Sequence, residues 1–126
     1  MIDGAFSAAV QSALSAALPG IYVGEPQDDQ PIPSKSVLMD LQSDVVVGGA
    51  LQRGTLTLHV ISQADDFSKL EHSDFVQDVD FATRSLSLTS DQVQLYGIVA
   101  QSSNSLREER HWRTALPYTV GFGPKP

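Results

Sequence analysis

Apolar side chains recur at Ile2, Phe6, Ala9, Val10, Ala13, Leu14, Ala17 and Leu18. Steps of three and four gather them on one stripe of a helix. Asp3 suits its start, either as a cap or as a negative charge at the positive end of the dipole. Pro19-Gly20 ends it. Ile21-Tyr22-Val23 is a short β-prone run closed by Gly24. Residues 25–34 then hold three prolines and two aspartates, which lack donors and bury nothing, so they read as a loop.

The period changes to two after the loop. Val37, Met39 and Leu41 alternate with Leu38, Asp40 and Gln42, the mark of a strand with one buried face. Asp44 to Arg53 contains Gly48-Gly49, is followed by Gly54, and reads as a long hairpin tip entered through Val45-Val46-Val47. Thr55 to Ile61 is the clearest strand: Leu56, Leu58 and Val60 face one way, Thr55, Thr57 and His59 the other.

Ala64-Asp65-Asp66 opens a second helix, predicted from Phe67 to about Ser87. Ser68 and Glu71 have the spacing of a capping box, and Leu70, Phe75, Val79, Ala82 and Leu86 supply a core-facing stripe. After the turn Thr89-Ser90-Asp91, Gln92 to Ala100 forms a strand with Val93, Leu95 and Val99 on one face. A polar, serine-rich stretch from Gln101 to Leu106 joins it to a last strand, Arg107 to Phe122. There Trp112, Thr114, Leu116, Tyr118, Val120 and Phe122 share a face, and Pro117 predicts an edge position or a bulge.

The order α-β-β-β-α-β-β makes this an α+β chain. The expectation is a mainly antiparallel sheet of four to five strands with both helices packed on one face. With 126 residues and no internal repeat or low-complexity linker, one domain spanning residues 1–126 is the economical reading. The Ala-rich run from Ala8 to Leu18 lacks the positive flank of a signal peptide, since Lys35 is the first basic residue, so it belongs to the fold. No run approaches the roughly 20 apolar residues of a membrane span.

Composition removes several chemistries. The chain has no cysteine, which excludes disulfides, thiolate metal sites and a cysteine nucleophile. Fifteen acidic against eight basic residues leave a net charge of −7, which repels a phosphate backbone unless the basic residues cluster. His59, His72 and His111 lack the i, i+4 spacing of a helical metal pair, although His59 and His111 can fall on neighbouring strands. There is no G-x-S-x-G elbow, and Gly48, Gly49 and Gly54 lie between two strands rather than before a helix, where a phosphate loop needs them. Asp28-Asp29 and Asp65-Asp66 read as a solvated loop and a helix start, with too few oxygen ligands for calcium. The pattern predicts no catalytic residue, metal or cofactor.

The densest charged stretch is Arg107-Glu108-Glu109-Arg110-His111-Trp112-Arg113. Arginines with a tryptophan suit nucleic acid, but the glutamates cancel much of that field. A protein-contact strand, which favours Arg and Trp, and a charged solvated edge are the other readings. Apolar Val45, Val46, Val47 and Leu51 with Arg53 near a hairpin tip also suggest burial against a partner. The interface candidates are therefore Val45, Val46, Val47, Leu51, Arg53, Arg107, Arg110, Trp112 and Arg113.

Taken in order, the Ala-rich N-terminal helix, Ile21-Tyr22-Val23, the Pro-rich loop, the strand Val37 to Leu41, the Gly-containing hairpin into Gly54 to Ser62, the acidic helix and the final Trp112 to Val120 strand form a sequence of signposts. Across nearly the whole chain this pattern resembles the tail terminator, or tail completion, proteins of long-tailed phages and gene transfer agents. The resemblance implies a non-catalytic virion protein, assembled in the bacterial cytoplasm and located at the tail–neck junction. It would form a hexameric ring that caps the tail tube, stops its polymerisation and meets the neck or head–tail connector protein. DNA would pass through the lumen without specific binding; six copies of so acidic a chain would keep it from the wall. A head–tail joining or neck adaptor, and a small non-catalytic ligand-binding domain, are the alternatives.

Overall fold

The computed structural model describes residues 2–24, 34–47, 51–63, 68–107 and 111–124; for 2, 3, 44–47 and 104–107 only the backbone is described. The described elements are α1 (Ile2–Ala17), β1 (Tyr22–Gly24), β2 (Lys35–Val47), β3 (Leu51–Gln63), α2 (Lys69–Arg84), β4 (Val93–Ala100), β5 (Asn104–Arg107) and β6 (His111–Pro124). Residues 25–33 of the loop predicted at 25–34, the paired carboxylates, Gly48-Gly49 and Arg110 lie outside the described residues.

The α+β expectation holds. The sheet runs β1-β2-β3-β6-β4, with β5 pairing β6 in line with β4. All pairings are antiparallel except β1 with β2, which run parallel. The strands β3 and β4 thus run the same way on either side of β6, and α2 spans the crossover between them. Phe6, Val10 and Leu14 of α1, Leu18 just past its end, and Phe75 and Val79 of α2 join one buried cluster with Leu56, Leu58, Val60, Leu116, Tyr118, Val120 and Phe122. Both helices therefore cover the same face of the sheet.

Local chemistry explains the ends. After α1, Gly20 takes the left-handed φ of 81° that Pro19 and the helix exit require. Ser68 caps α2: Glu71 N donates to Ser68 Oγ at 3.2 Å and Ser68 N donates to Glu71 Oε1 at 3.1 Å, the reciprocal box read from the sequence. Gly54 pairs with Ser43 beside a bulge, and a Cβ on it would lie 2.7 Å from the Gln42 carbonyl oxygen.

Several elements differ from the expectation. The hairpin strands are longer, 13 residues each, because Val45–Val47 pair with Arg53–Leu51 and continue the ladder. Helix α2 starts at Lys69 and ends at Arg84, and Leu70 is 73% exposed; His72 and Thr83 are buried in its stripe instead. In β4 a bulge between Leu95 and Gly97 advances the register by one residue. Val99 therefore turns outward, 66% exposed, and Ile98 and Ala100 pack on the core. Asn104–Arg107 is a strand rather than part of a loop, so Arg107 is on β5, opposite Trp112 of β6.

Pro117 lies in neither an edge strand nor a bulge, since β6 is paired on both sides. Its carbonyl accepts from Gln101 N at 2.9 Å, so its ring nitrogen points the same way, toward the Gln101–Ser103 gap between β4 and β5. The missing donor falls where the neighbouring edge is interrupted.

Candidate functional site

The three histidines have separate environments. His72 enters from α2 and is 4% exposed. Its Nδ1 lies 2.8 Å from Ser62 Oγ on β3, and its Nε2 lies 2.9 Å from Thr114 Oγ1 on β6. The Trp112 ring stacks beside it at 6.4 Å. A neutral imidazole offers one donor and one acceptor, and hydroxyls match either. Ser62 is fully buried and Thr114 nearly so, so this Ser–His contact is a strut between α2 and the sheet, closed to a substrate. Spacing offered one clue: His72 precedes Phe75 by three and Val79 by seven, on the helix's buried stripe.

Burial lowers the His72 pKa from 6.5. The unfolded chain then takes up this proton near pH 6.5, while the folded chain resists it to a lower pH. Stability from neutral His72 is complete above 6.5 and declines as pH falls from there through the lowered value. His72→Gln is expected to cost about 1–3 kcal/mol at pH 7.5, by orphaning buried hydroxyls. In urea melts the gap between wild type and variant narrows toward pH 5; a constant gap refutes the assignment.

His59, on the opposite face of β3, accepts from Arg113 of β6: Nδ1 lies 3.3 Å from Nε and 3.1 Å from Nη2. Both residues are half-buried. His111 shares this face but lies four residues along β3's register from His59. Among the described residues, no group of three or more His, Asp or Glu side chains is placed to hold a metal ion.

A third cluster joins α2 to β6. Tyr118 Oη donates to Asp80 Oδ1 at 2.5 Å, and Arg84 Nε donates to Asp80 Oδ2 at 2.9 Å. Burial, then the bond to Asp80, raises the Tyr118 pKa far above its usual value, so the phenol stays protonated as a donor. A cavity of about 140 Å³ beside it is lined by Gln77, Asp80, Gln101 and Pro117. A wider groove of about 520 Å³ lies between the end of α1 and α2, lined by Leu18, Pro19, Ile21, Phe81 and Ala82. Phe81 beside it is 74% exposed.

The predicted interface residues are spread over both faces and both ends of the sheet. Leu51 and Arg53 are exposed at the hairpin end of β3. Val45, Val46 and Val47 pair there with Arg53, Gln52 and Leu51. Trp112 is on the helix side of β6, half-buried against His72, while Arg113 is on the open side.

No family model matches the chain, and no curated protein matches its sequence. Solved structures do match it. A chain from the virion of a native gene transfer agent particle superposes with a TM-score of 0.70 at 20% identity, covering 97% of this chain and 97% of that one. This chain has that virion chain's fold. The match runs through nearly the whole of both chains. A second solved structure aligns with a TM-score of 0.59 at 15% identity, over 99% of this chain and 94% of that one. No helix among the described residues is long and apolar enough to cross a membrane.

Proposed function

We propose that this chain is a structural subunit of a phage-like particle, and specifically a tail terminator. In this reading the whole chain acts as one domain and closes into a hexameric ring on the end of the tail tube. It stops tube polymerisation there and presents a surface to the neck. The observation that carries the reading is the end-to-end likeness to a gene transfer agent virion chain. The order of elements, which resembles tail terminators, supports the same assignment independently of that match. So does the chemistry: the histidine and tyrosine clusters brace α2 against the sheet and are buried or engaged.

The hairpin end is the surface proposed to meet the tube or a neighbouring subunit. It joins exposed Leu51 and Arg53 to the Val45–Val47 run. Arg107, Arg110, Trp112 and Arg113, around the β5–β6 end, are proposed as further contact residues. Val46→Asp is expected to leave a folded monomer, with the wild-type melting temperature within about 1–2 °C, since the hairpin tip is outside the core read from the sequence. Ring formation on tubes is expected to be lost. An unfolded variant, or one that assembles normally, refutes the assignment of Val46.

The deciding experiment is native mass spectrometry of the purified chain, alone and with tail-tube ends from the same genome. A hexamer, or a monomer that becomes six-fold on tube ends, is expected. A monomer or dimer indifferent to tubes overturns the terminator reading and leaves the neck adaptor to be tested against connector proteins.

A further inference from the structure

The groove between the end of α1 and α2 is lined by Leu18, Pro19, Ile21, Phe81, Ala82 and Asp78. Its volume of about 520 Å³ is in the roughly 300–1,000 Å³ range of sites that take up a ligand. Phe81 stands there 74% exposed, and an aromatic ring left in water beside apolar walls suits a protein contact. Asp78 is the charged residue of the lining. It is exposed, as is Asp74 one turn earlier, and neither forms a hydrogen bond or ion pair among the described residues. What fits such a groove is an apolar side chain with a cation close behind it.

The chain presents such a pair at its hairpin end. The exposed large apolar and aromatic side chains among the described residues are Tyr22, Leu51, Leu70, Phe81, Tyr96 and Val99. Leu70 and Phe81 are on α2 itself, where Lys69 points about 100° away from Leu70 and Arg84 is held by Asp80. No cation lies within two residues of Tyr22, Tyr96 or Val99. Leu51 and Arg53 are both exposed and alternate on one face of β3, about 7 Å apart. Arg53 forms no hydrogen bond or ion pair among the described residues, and its neighbour across on β6 is Gly121. No described atom lies within 4 Å of where a Cβ on Gly121 would stand, so no side chain at that position of β6 screens the guanidinium.

We propose that the hairpin end of one subunit seats in the α1–α2 groove of the next copy of this chain. Leu51 packs against Phe81, Leu18 and Ile21, and the Arg53 guanidinium lies between Asp74 and Asp78. The scale fits. Along the helix axis Asp78 and Asp74 are about 4.5 Å and 10.5 Å from Phe81, and the roughly 7 Å from Leu51 to Arg53 falls between them. Leu51 and Arg53 are on the face of β3 opposite Leu56 and Leu58, which pack under the helices, so a chain does not fill its own groove with them. The two surfaces are different patches on one chain, as a head-to-tail contact requires, and a sixth of a turn per step closes the ring. This contact rests on the ring reading above, and it assigns the hairpin end to the neighbouring subunit rather than to the tube.

Charge reversal with mixing tests it. Asp78→Arg and Arg53→Glu are purified separately, checked for folding by circular dichroism, and weighed by native mass spectrometry alone and on tube ends. Each variant alone is expected to lose self-association by about tenfold or more, because like charges then meet at every contact. Mixed one to one they are expected to regain the wild-type ring, with the two variants alternating, because every contact then joins opposite charges. Gly121→Val serves if a charge variant misfolds: its Cβ enters open space, so the melt is unchanged or raised, while its bulk beside Arg53 blocks assembly. The chain has no cysteine, so Leu51→Cys/Ala82→Cys places its two thiols on the facing surfaces. Mild oxidation of that variant is expected to give a ladder of linked subunits ending at six.

Wild-type assembly by the separate variants, or no recovery on mixing two folded variants, overturns the contact. So does a cross-linked product that stops at the dimer, since two copies then exchange hairpins instead of closing a ring. If charge reversal blocks docking on tube ends but leaves rings intact, the hairpin end meets the tube and the contact falls. If wild type and variants alike form rings on tube ends, the terminator reading stands and the contact falls. If the ladder closes at six but the ring ignores tube ends, the contact stands and the terminator reading falls. A wild-type chain monomeric under both conditions overturns both.

Discussion

Leu58→Asp is expected to abolish the cooperative fold. Leu58 is fully buried at the centre of β3, with Met39 and Leu116 directly opposite on the flanking strands and each only 6% exposed. That row lies in the core cluster under the helices. A carboxylate there has no positive partner in its row, so it must lose its hydration or its charge. An unpaired buried charge costs several kcal/mol, and loss of the leucine's packing adds about 2–5 kcal/mol. A domain of this size has a total stability of about 5–15 kcal/mol, so little or none remains. Circular dichroism should show no thermal transition and one-dimensional proton spectra no dispersed methyl signals. A soluble variant with a wild-type melt would mean that β3 does not present Leu58 to the core.

Phe122→Ala is expected to destabilise the chain by about 3–5 kcal/mol, with the loss centred on docking of α1. The Phe122 and Phe6 rings stack at 4.0 Å between centroids and 5° between planes, and both are fully buried. Phe6 opens the buried row of α1 that continues through Val10, Leu14 and Leu18. Removing the Phe122 ring empties the space against Phe6 beneath the first turns of the helix. Urea denaturation measures the total, and hydrogen exchange locates it: amides of α1 should lose protection before those of β3. Phe122→Leu, which keeps most of the volume, should cost less than half as much. An equal loss in both variants, or uniform loss of protection, would refute the role assigned to the ring pair.

Much of the fold was legible where one local rule decided the outcome. The i, i+4 spacing of Phe6, Val10, Leu14 and Leu18 allowed one face to be buried, and Phe6, Val10 and Leu14 of α1 and Leu18 just past its end are buried. Ser68 and Glu71 could satisfy each other's backbone donors without help from the rest of the chain, so the start of α2 was readable to within two residues. Alternation along β3 and β6 identified the core face correctly from Leu56 to Val60 and from Thr114 to Phe122. Val99 was misread because a bulge leaves no mark on composition, yet reverses every side chain after it. His72 was left out of the predicted stripe of α2 because its two hydroxyl partners come from strands 10 and 42 residues away.

Sequence alone determined both helices, every strand but β5 and, apart from Leu70 and the bulged end of β4, their inward faces, because hydrophobic period, caps and breakers act within a few residues. Neighbours were decided by the tertiary structure. The last strand, β6, inserts between β3 and β4, which brings Arg113 to His59 across 54 residues and Tyr118 to Asp80 across 38. It also surrounds Pro117 with paired strands while placing its missing donor opposite a gap. Pairing of that kind depends on which arrangement buries all the apolar faces at once under two helices. That is a property of the whole chain, and no local window contains it.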